Sequence, residues 1–196
     1  HANRPRAGWA LMETRWSPRA IMRTMLPILL VLTSIELASG FVLDTFEGTL
    51  LRYPSLLVLV PVTIGMAGNL GSILAARLST VVHLGLLSFD PDDEYLLGNA
   101  VATLGLALTL FPLVGAGAWL AQTLVGGSTL GVGTVVLVAF GSGAVLAVLA
   151  VFVTLVTTYA AYRFGLDPDD VVIPVVTNVC DVLGVVVLFA VVRLVV

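Results

Sequence analysis

An acidic residue stands in the middle of a long apolar run. Residues 171–192 read VVIPVVTNVCDVLGVVVLFAVV, with Asp181 far from either end. A charge at the centre of a bilayer costs at least about 2.5–3.5 kcal/mol on insertion scales, so an acid kept there usually faces a bundle interior or a water-filled path. On a helix, Thr177 and Gly184 share the face of Asp181, and Asn178 sits beside them. That face is polar and small, whereas the rest is Val, Leu and Phe. Two readings follow: a carboxylate lining an ion path, or a protonated acid hydrogen-bonded to a neighbouring helix.

A second stretch matches it. PVTIGMAGNLGSILAARLST, residues 61–80, is apolar enough for a span, yet it holds a proline, glycines, an asparagine and an arginine. Gly68, Ser72 and Ala76 recur every four residues and form a ridge on which another helix can lie closely. Gly65 and Asn69 lie beside the ridge, and Gly71 follows in the same segment. Pro61 removes one backbone hydrogen bond, a break tolerated where it is buried in protein or lines water. Helix packing alone accounts for the glycines; it accounts less well for Asn69.

Other groups are less specific. Glu36 in the first apolar run is a second intramembrane acid, suited either to an ion or to an interhelical hydrogen bond. Asp44 and Glu47 fall at the end of that run, as a cation entrance or as solvated caps. His83, alone near a helix end, reads as structural. Cys180 is rotated about 100° from Asp181 on a helix and reads as packing.

These groups offer oxygen: carboxylate, hydroxyl, amide and backbone carbonyl. The absence of a His/Cys cluster around Asp181 disfavours a soft metal. Hard cations take oxygen ligands, and Mg2+ keeps several waters while one or two carboxylates hold it. One Asp181 per chain is too little for a dry cage; two, facing each other across a symmetric dimer, suffice for a partly hydrated Mg2+.

The elements that must position these residues are membrane helices. The chain has 196 residues, 59% hydrophobic and 11% charged, with a mean hydropathy of +1.09. A soluble domain carries about 25% charged residues, so this is an all-α integral membrane protein. The net charge of -3 gives no reason to expect nucleic-acid binding, and a single cysteine excludes an intramolecular disulfide. No cleavable signal peptide is evident. Spans are expected at 20–43, 54–88, 95–124, 130–164 and 170–195, forming a domain over 20–196. A basic segment, 1–19, precedes it, and is expected to be partly disordered or tag-derived.

Arg4, Arg6, Arg15, Arg19 and Arg23 precede the first span, which predicts a cytoplasmic N-terminus and an external C-terminus. Arg77 and Arg163 then lie near cytoplasmic ends. The two acidic loops on that side, SFDPDDEY (88–95) and GLDPDDVV (165–172), each place Asp-Pro where a helix can start. The same carboxylates could concentrate cations at a pore mouth. GGSTLGVG (126–133) reads as a plain flexible connection.

Two of these segments resemble a known family. FEGTLLRYPSLLVLVPVTIGMAGNLGSILAARLST (46–80) resembles the second-helix region of the MgtE magnesium channels and of solute carrier family 41. LDPDDVVIPVVTNVCDVLG (166–184) resembles their fifth-helix motif, Asp-Pro, then Pro, then Thr-x-x-x-Asp-x-x-Gly. The resemblance implies five helices per chain and a plasma-membrane homodimer, with a cation path on the dimer axis lined by the second and fifth helices. It implies that Asp181 holds the ion, that Gly68, Asn69 and Gly71 form the glycine–asparagine segment, that Glu47 belongs to a Phe-Glu pair, and that Asp167 stands at the cytoplasmic mouth. The soluble and CBS domains of typical members have no counterpart in this sequence, which puts gating by them in doubt and leaves a separate regulatory subunit as an open partner.

The expected function is divalent cation transport, of Mg2+ first, with no organic cofactor. A Na+- or H+-coupled exchanger and a non-transporting assembly subunit are the alternatives. An intramembrane hydrolase is disfavoured: Ser142 lacks the Gly-x-Ser-Gly spacing because position 140 is Phe, and no Gly-x-Gly-Asp motif occurs.

Overall fold

The computed structural model describes residues 18–90, 92–127 and 129–196, and these are helical apart from their connections. Most of the expected basic segment, including Arg4, Arg6 and Arg15, lies outside the described residues, as do Pro91 and Ser128. The helices are α1 (Pro18–Asp44), α2 (Glu47–Arg52), α3 (Pro54–His83), α4 (Glu94–Val125), α5 (Val132–Phe164) and α6 (Pro168–Val195). Five of them, all but the short α2, are long and apolar enough to cross a membrane. α4 and α5 run for 32 and 33 residues. At about 1.5 Å per residue each exceeds the hydrocarbon thickness and must tilt or project from it.

Helix ends follow local chemistry. Pro54 and Pro168 occupy the first turns of α3 and α6, where a missing N–H costs nothing. Asp167 caps α6 by accepting from the Asp169 N–H at 3.1 Å. α4 begins at Glu94 and not at Asp90. Asp93 is the cap instead, accepting from the N–H groups of Tyr95 and Leu96 at 2.9 and 3.1 Å. Its second oxygen accepts from the Ser88 N–H and hydroxyl, each at 2.8 Å, which folds the preceding loop onto the cap.

The second span is shorter than the apolar run suggests, ending at His83 and not near residue 88. Gly85 takes a φ of +67°, which a residue without Cβ adopts freely, and the Leu86 N–H returns to the Val81 carbonyl at 3.1 Å. Apolarity continues through Leu86 and Leu87, but the helix is already closed.

α3 and α5 lie against each other at the centre of a four-helix bundle, with α4 packed on one side of the pair and α6 on the other. Gly143 of α5 sits where any Cβ would fall 2.0 Å from the Phe111 ring of α4, so the close α4–α5 contact requires glycine there. α1 rests on the outside of α6 and is otherwise almost wholly exposed. α2 was not anticipated from the sequence; it is anchored by Phe46, which stacks on Phe189 of α6 with ring centroids 3.9 Å apart. The 126–133 connection is tied down more than its composition suggests. Trp119 Nε1 donates to the Leu130 carbonyl at 3.2 Å, and the Thr129 hydroxyl to the Arg52 carbonyl at 3.3 Å.

Candidate functional site

α3 and α6 meet through the residues singled out in the two segments. Gly68 lies opposite Asp181, with the carboxylate Oδ1 3.1 Å from where a Cβ on residue 68 would stand. Gly184 receives Ile64 in the same way, at 3.0 Å, and Gly71 receives Val176 so closely that a Cβ would be 2.4 Å from its methyl. The three glycines are therefore the surface that lets α3 and α6 touch. Between them the Ser72 and Thr177 hydroxyls are 2.7 Å apart.

Asp181 is the fourteenth of the 28 residues of α6, at its midpoint. Its side chain is half-buried, and among the described residues it has neither a hydrogen-bond donor nor a cation. The charged group that acts on it is another carboxylate, Glu36 of α1, itself half-buried. A buried acid is ordinarily paired or hydrogen-bonded. A carboxylate there, with no cation beside it among the described residues, makes a place where positive charge is stabilised.

Polar groups nearby divide into those turned inward and those turned out. Asn69 is exposed, as are Gly65 and Pro61, so these form an outer strip on α3 beside the buried Gly68 and Gly71. Asn178 gives its amide N–H to the Pro174 carbonyl of its own helix at 2.9 Å, leaving the amide oxygen available. Cys180 is buried in the core, in contact with the α3 face at Gly71, as its packing role requires. Ser142 is fully buried and donates to the Val138 carbonyl at 2.7 Å.

Two predicted ligands lie elsewhere. Glu47 opens α2 and is exposed. Asp167 caps the start of α6, so about 20 Å of helix separates it from Asp181. There it meets His83, which is not alone: His83 Nε2 is 3.6 Å from Asp167 Oδ1. Asp169 joins them, and one ligand atom from each of the three residues falls within 4.8 Å of the others. Sequence reasoning missed this grouping because His83 and Asp167 are 84 residues apart and only the antiparallel closing of α3 on α6 joins them. Arg77, at the same end of α3, donates to the Asn99 side chain of α4.

The family model of MgtE, described as a divalent cation transporter, matches residues 60–191. The chain belongs to the MgtE family. The match takes in α3 from Val60 onward, all of α4 and α5, and α6 through Val191, and so both helices that carry the Gly68–Asp181 and Ser72–Thr177 contacts. As an MgtE-family member with five apolar helices of spanning length, it is a multi-pass membrane protein of a divalent cation transporter family.

Proposed function

We propose that the protein carries divalent cations, Mg2+ first among them, across the plasma membrane through a path between α3 and α6 of two copies of the chain. Asp181 is the ion-holding group, with Thr177, Asn178 and the Ser72 hydroxyl around it and Glu36 behind it. The observation that carries this reading is the carboxylate at the midpoint of α6, opposite Gly68 and without a partner among the described residues. The glycine lets the carboxylate lie close against the α3 backbone.

The exposed strip beside it supports the second copy. Asn69 on α3 and a half-buried Asp181 on the adjoining helix are poor chemistry for lipid tails, where polar groups find no water. A two-fold partner would cover both and bring a second Asp181 to the same axis. Two carboxylates suit a cation that keeps part of its hydration shell, as Mg2+ does. The arginine bias before α1 supports a cytoplasmic N-terminus, with Asp167 then at the cytoplasmic mouth and Glu47 at the opposite one.

The test is Mg2+ flux into proteoliposomes, wild type beside Asp181→Asn, once the variant has been shown to elute as wild type does. Flux in wild type and none in the variant is the expected result. Equal flux in both would put the path elsewhere. A second reading, an exchanger coupled to H+ or Na+, is favoured by Glu36, a second half-buried acid, carried on α1. It predicts flux that follows a pH or Na+ gradient imposed at constant Mg2+.

A further inference from the structure

We infer that His83, Asp167 and Asp169 form a binding site for a divalent transition metal that ties the end of α3 to the start of α6. Their ligand atoms lie within 4.8 Å of one another, close enough for one ion to touch all three. The three residues are exposed, so water can complete the coordination.

The orientation of His83 is what distinguishes the group from an ordinary surface ion pair. Its Nδ1 faces the Ser79 hydroxyl one turn earlier at 3.4 Å, and Nε2 faces the carboxylates. Ser79 is buried, so its hydroxyl is fixed by the core beneath. A metal-binding imidazole is typically held in this way, with one nitrogen engaged by a neighbouring polar group and the other left for the ion. Asp167 is likewise fixed, because it caps α6 through the Asp169 N–H. Both helices thus present ligands whose positions are set before an ion arrives.

One imidazole and two carboxylates differ from the all-oxygen surroundings of Asp181. Imidazole nitrogen favours transition ions of the zinc type, whereas Mg2+ takes oxygen and water. The site is therefore expected to discriminate against Mg2+, and the separation of about 20 Å along α6 keeps it apart from Asp181. An ion there would fix the spacing of α3 and α6 at one end, and these are the helices that close on each other at Ser72 and Thr177. The consequence for flux rests on the function proposed above; the binding itself does not.

Calorimetric titration of the purified full chain with Zn2+, in millimolar Mg2+, tests the site. Wild type and Asp181→Asn are expected to bind one Zn2+ per chain. Binding should be lost in His83→Ala and in Asp169→Asn, and should weaken by about tenfold in Ser79→Ala. The chain has only one other histidine, His1, so unchanged binding in His83→Ala would place the metal elsewhere and overturn the proposal. No Zn2+ heat in wild type would reduce the group to an ion pair and overturn it too. In proteoliposomes Zn2+ is expected to slow Mg2+ flux through wild type and spare His83→Ala. Equal slowing of both would overturn the effect on flux. Absence of flux in every variant would sink the transport reading, with the titration still deciding the site.

Discussion

The Ser72 hydroxyl of α3 and the Thr177 hydroxyl of α6 lie 2.7 Å apart, a side-chain hydrogen bond joining the two helices of the candidate path. Each oxygen also approaches a carbonyl of its own helix, Ser72 that of Gly68 at 2.8 Å and Thr177 that of Ile173 at 3.0 Å. Two hydroxyl protons therefore serve three contacts, and at any moment one contact goes without. Such shared bonds between membrane helices are modest, about 0.6 kcal/mol on average and up to about 1.7. A double-mutant cycle with Ser72→Ala and Thr177→Val should give a coupling in that range, read from unfolding in mixed micelles. Strictly additive losses would mean that each hydroxyl bonds only to its own backbone.

The glycines predict a graded series. A Cβ at Gly143 would fall 2.0 Å from the Phe111 ring and 2.5 Å from its Cβ, so Gly143→Ala forces α4 and α5 apart. Overpacking of this kind costs about 1–3 kcal/mol. Gly117, in the same bundle, has nothing within 4 Å of the added carbon, and Gly117→Ala should be neutral or slightly stabilising through helix propensity. Thermal unfolding of the two variants side by side checks the contrast; equal midpoints would show that the bundle can relax around Phe111.

Gly68→Ala separates packing from transport. The added methyl would stand 3.1 Å from Asp181 Oδ1 and 3.4 Å from the Thr177 methyl, tight but within reach of a small shift. The variant should fold and elute as wild type does, yet conduct Mg2+ several-fold more slowly, because the methyl occupies the space before the carboxylate. Wild-type flux in Gly68→Ala would show that the ion does not pass that point.

Much of this was legible in the residues. Five apolar runs and the face shared by Asp181, Thr177 and Gly184 correspond to observed helices and contacts, because helical periodicity alone fixes which side chains share a face; of the small-residue ridge on α3, Gly68 and Ser72 meet α6, whereas Ala76 is exposed. What the sequence could not supply is the pairing between distant segments. Asn69 follows Gly68 directly, yet one is exposed and the other buried, a difference set by where α6 lies. His83 looked solitary for the same reason. The end of α3 was overrun because Leu84, Leu86 and Leu87 keep the apolar character going past a glycine whose positive φ ends the helix. α2 is only 6 residues long and owes its place to the Phe46–Phe189 stack, a tertiary contact with no periodic signature.

Asp93 gives a pH dependence with a defined direction. The Ser88 N–H is the largest influence holding its carboxyl below the usual carboxylate range, followed by the Leu96 N–H and the Ser88 hydroxyl, with the Tyr95 N–H adding to them. A group whose pKa is lower in the folded than in the unfolded chain supplies stability that is complete above the unfolded value and is lost as pH falls through the folded one. The loop before α4 should therefore loosen in acid, below the usual carboxylate range, and not between neutral pH and that range. Asp93→Asn isolates the effect. The amide oxygen can still accept from Tyr95 and Leu96, but the amide nitrogen cannot accept from the Ser88 N–H or hydroxyl. At neutral pH the variant should unfold at a lower temperature than wild type, and the two midpoints should converge as the pH is lowered and wild-type Asp93 takes up its proton. Midpoints that stay equally far apart down to the lowest pH would show that the Ser88 contacts do not depend on the charge.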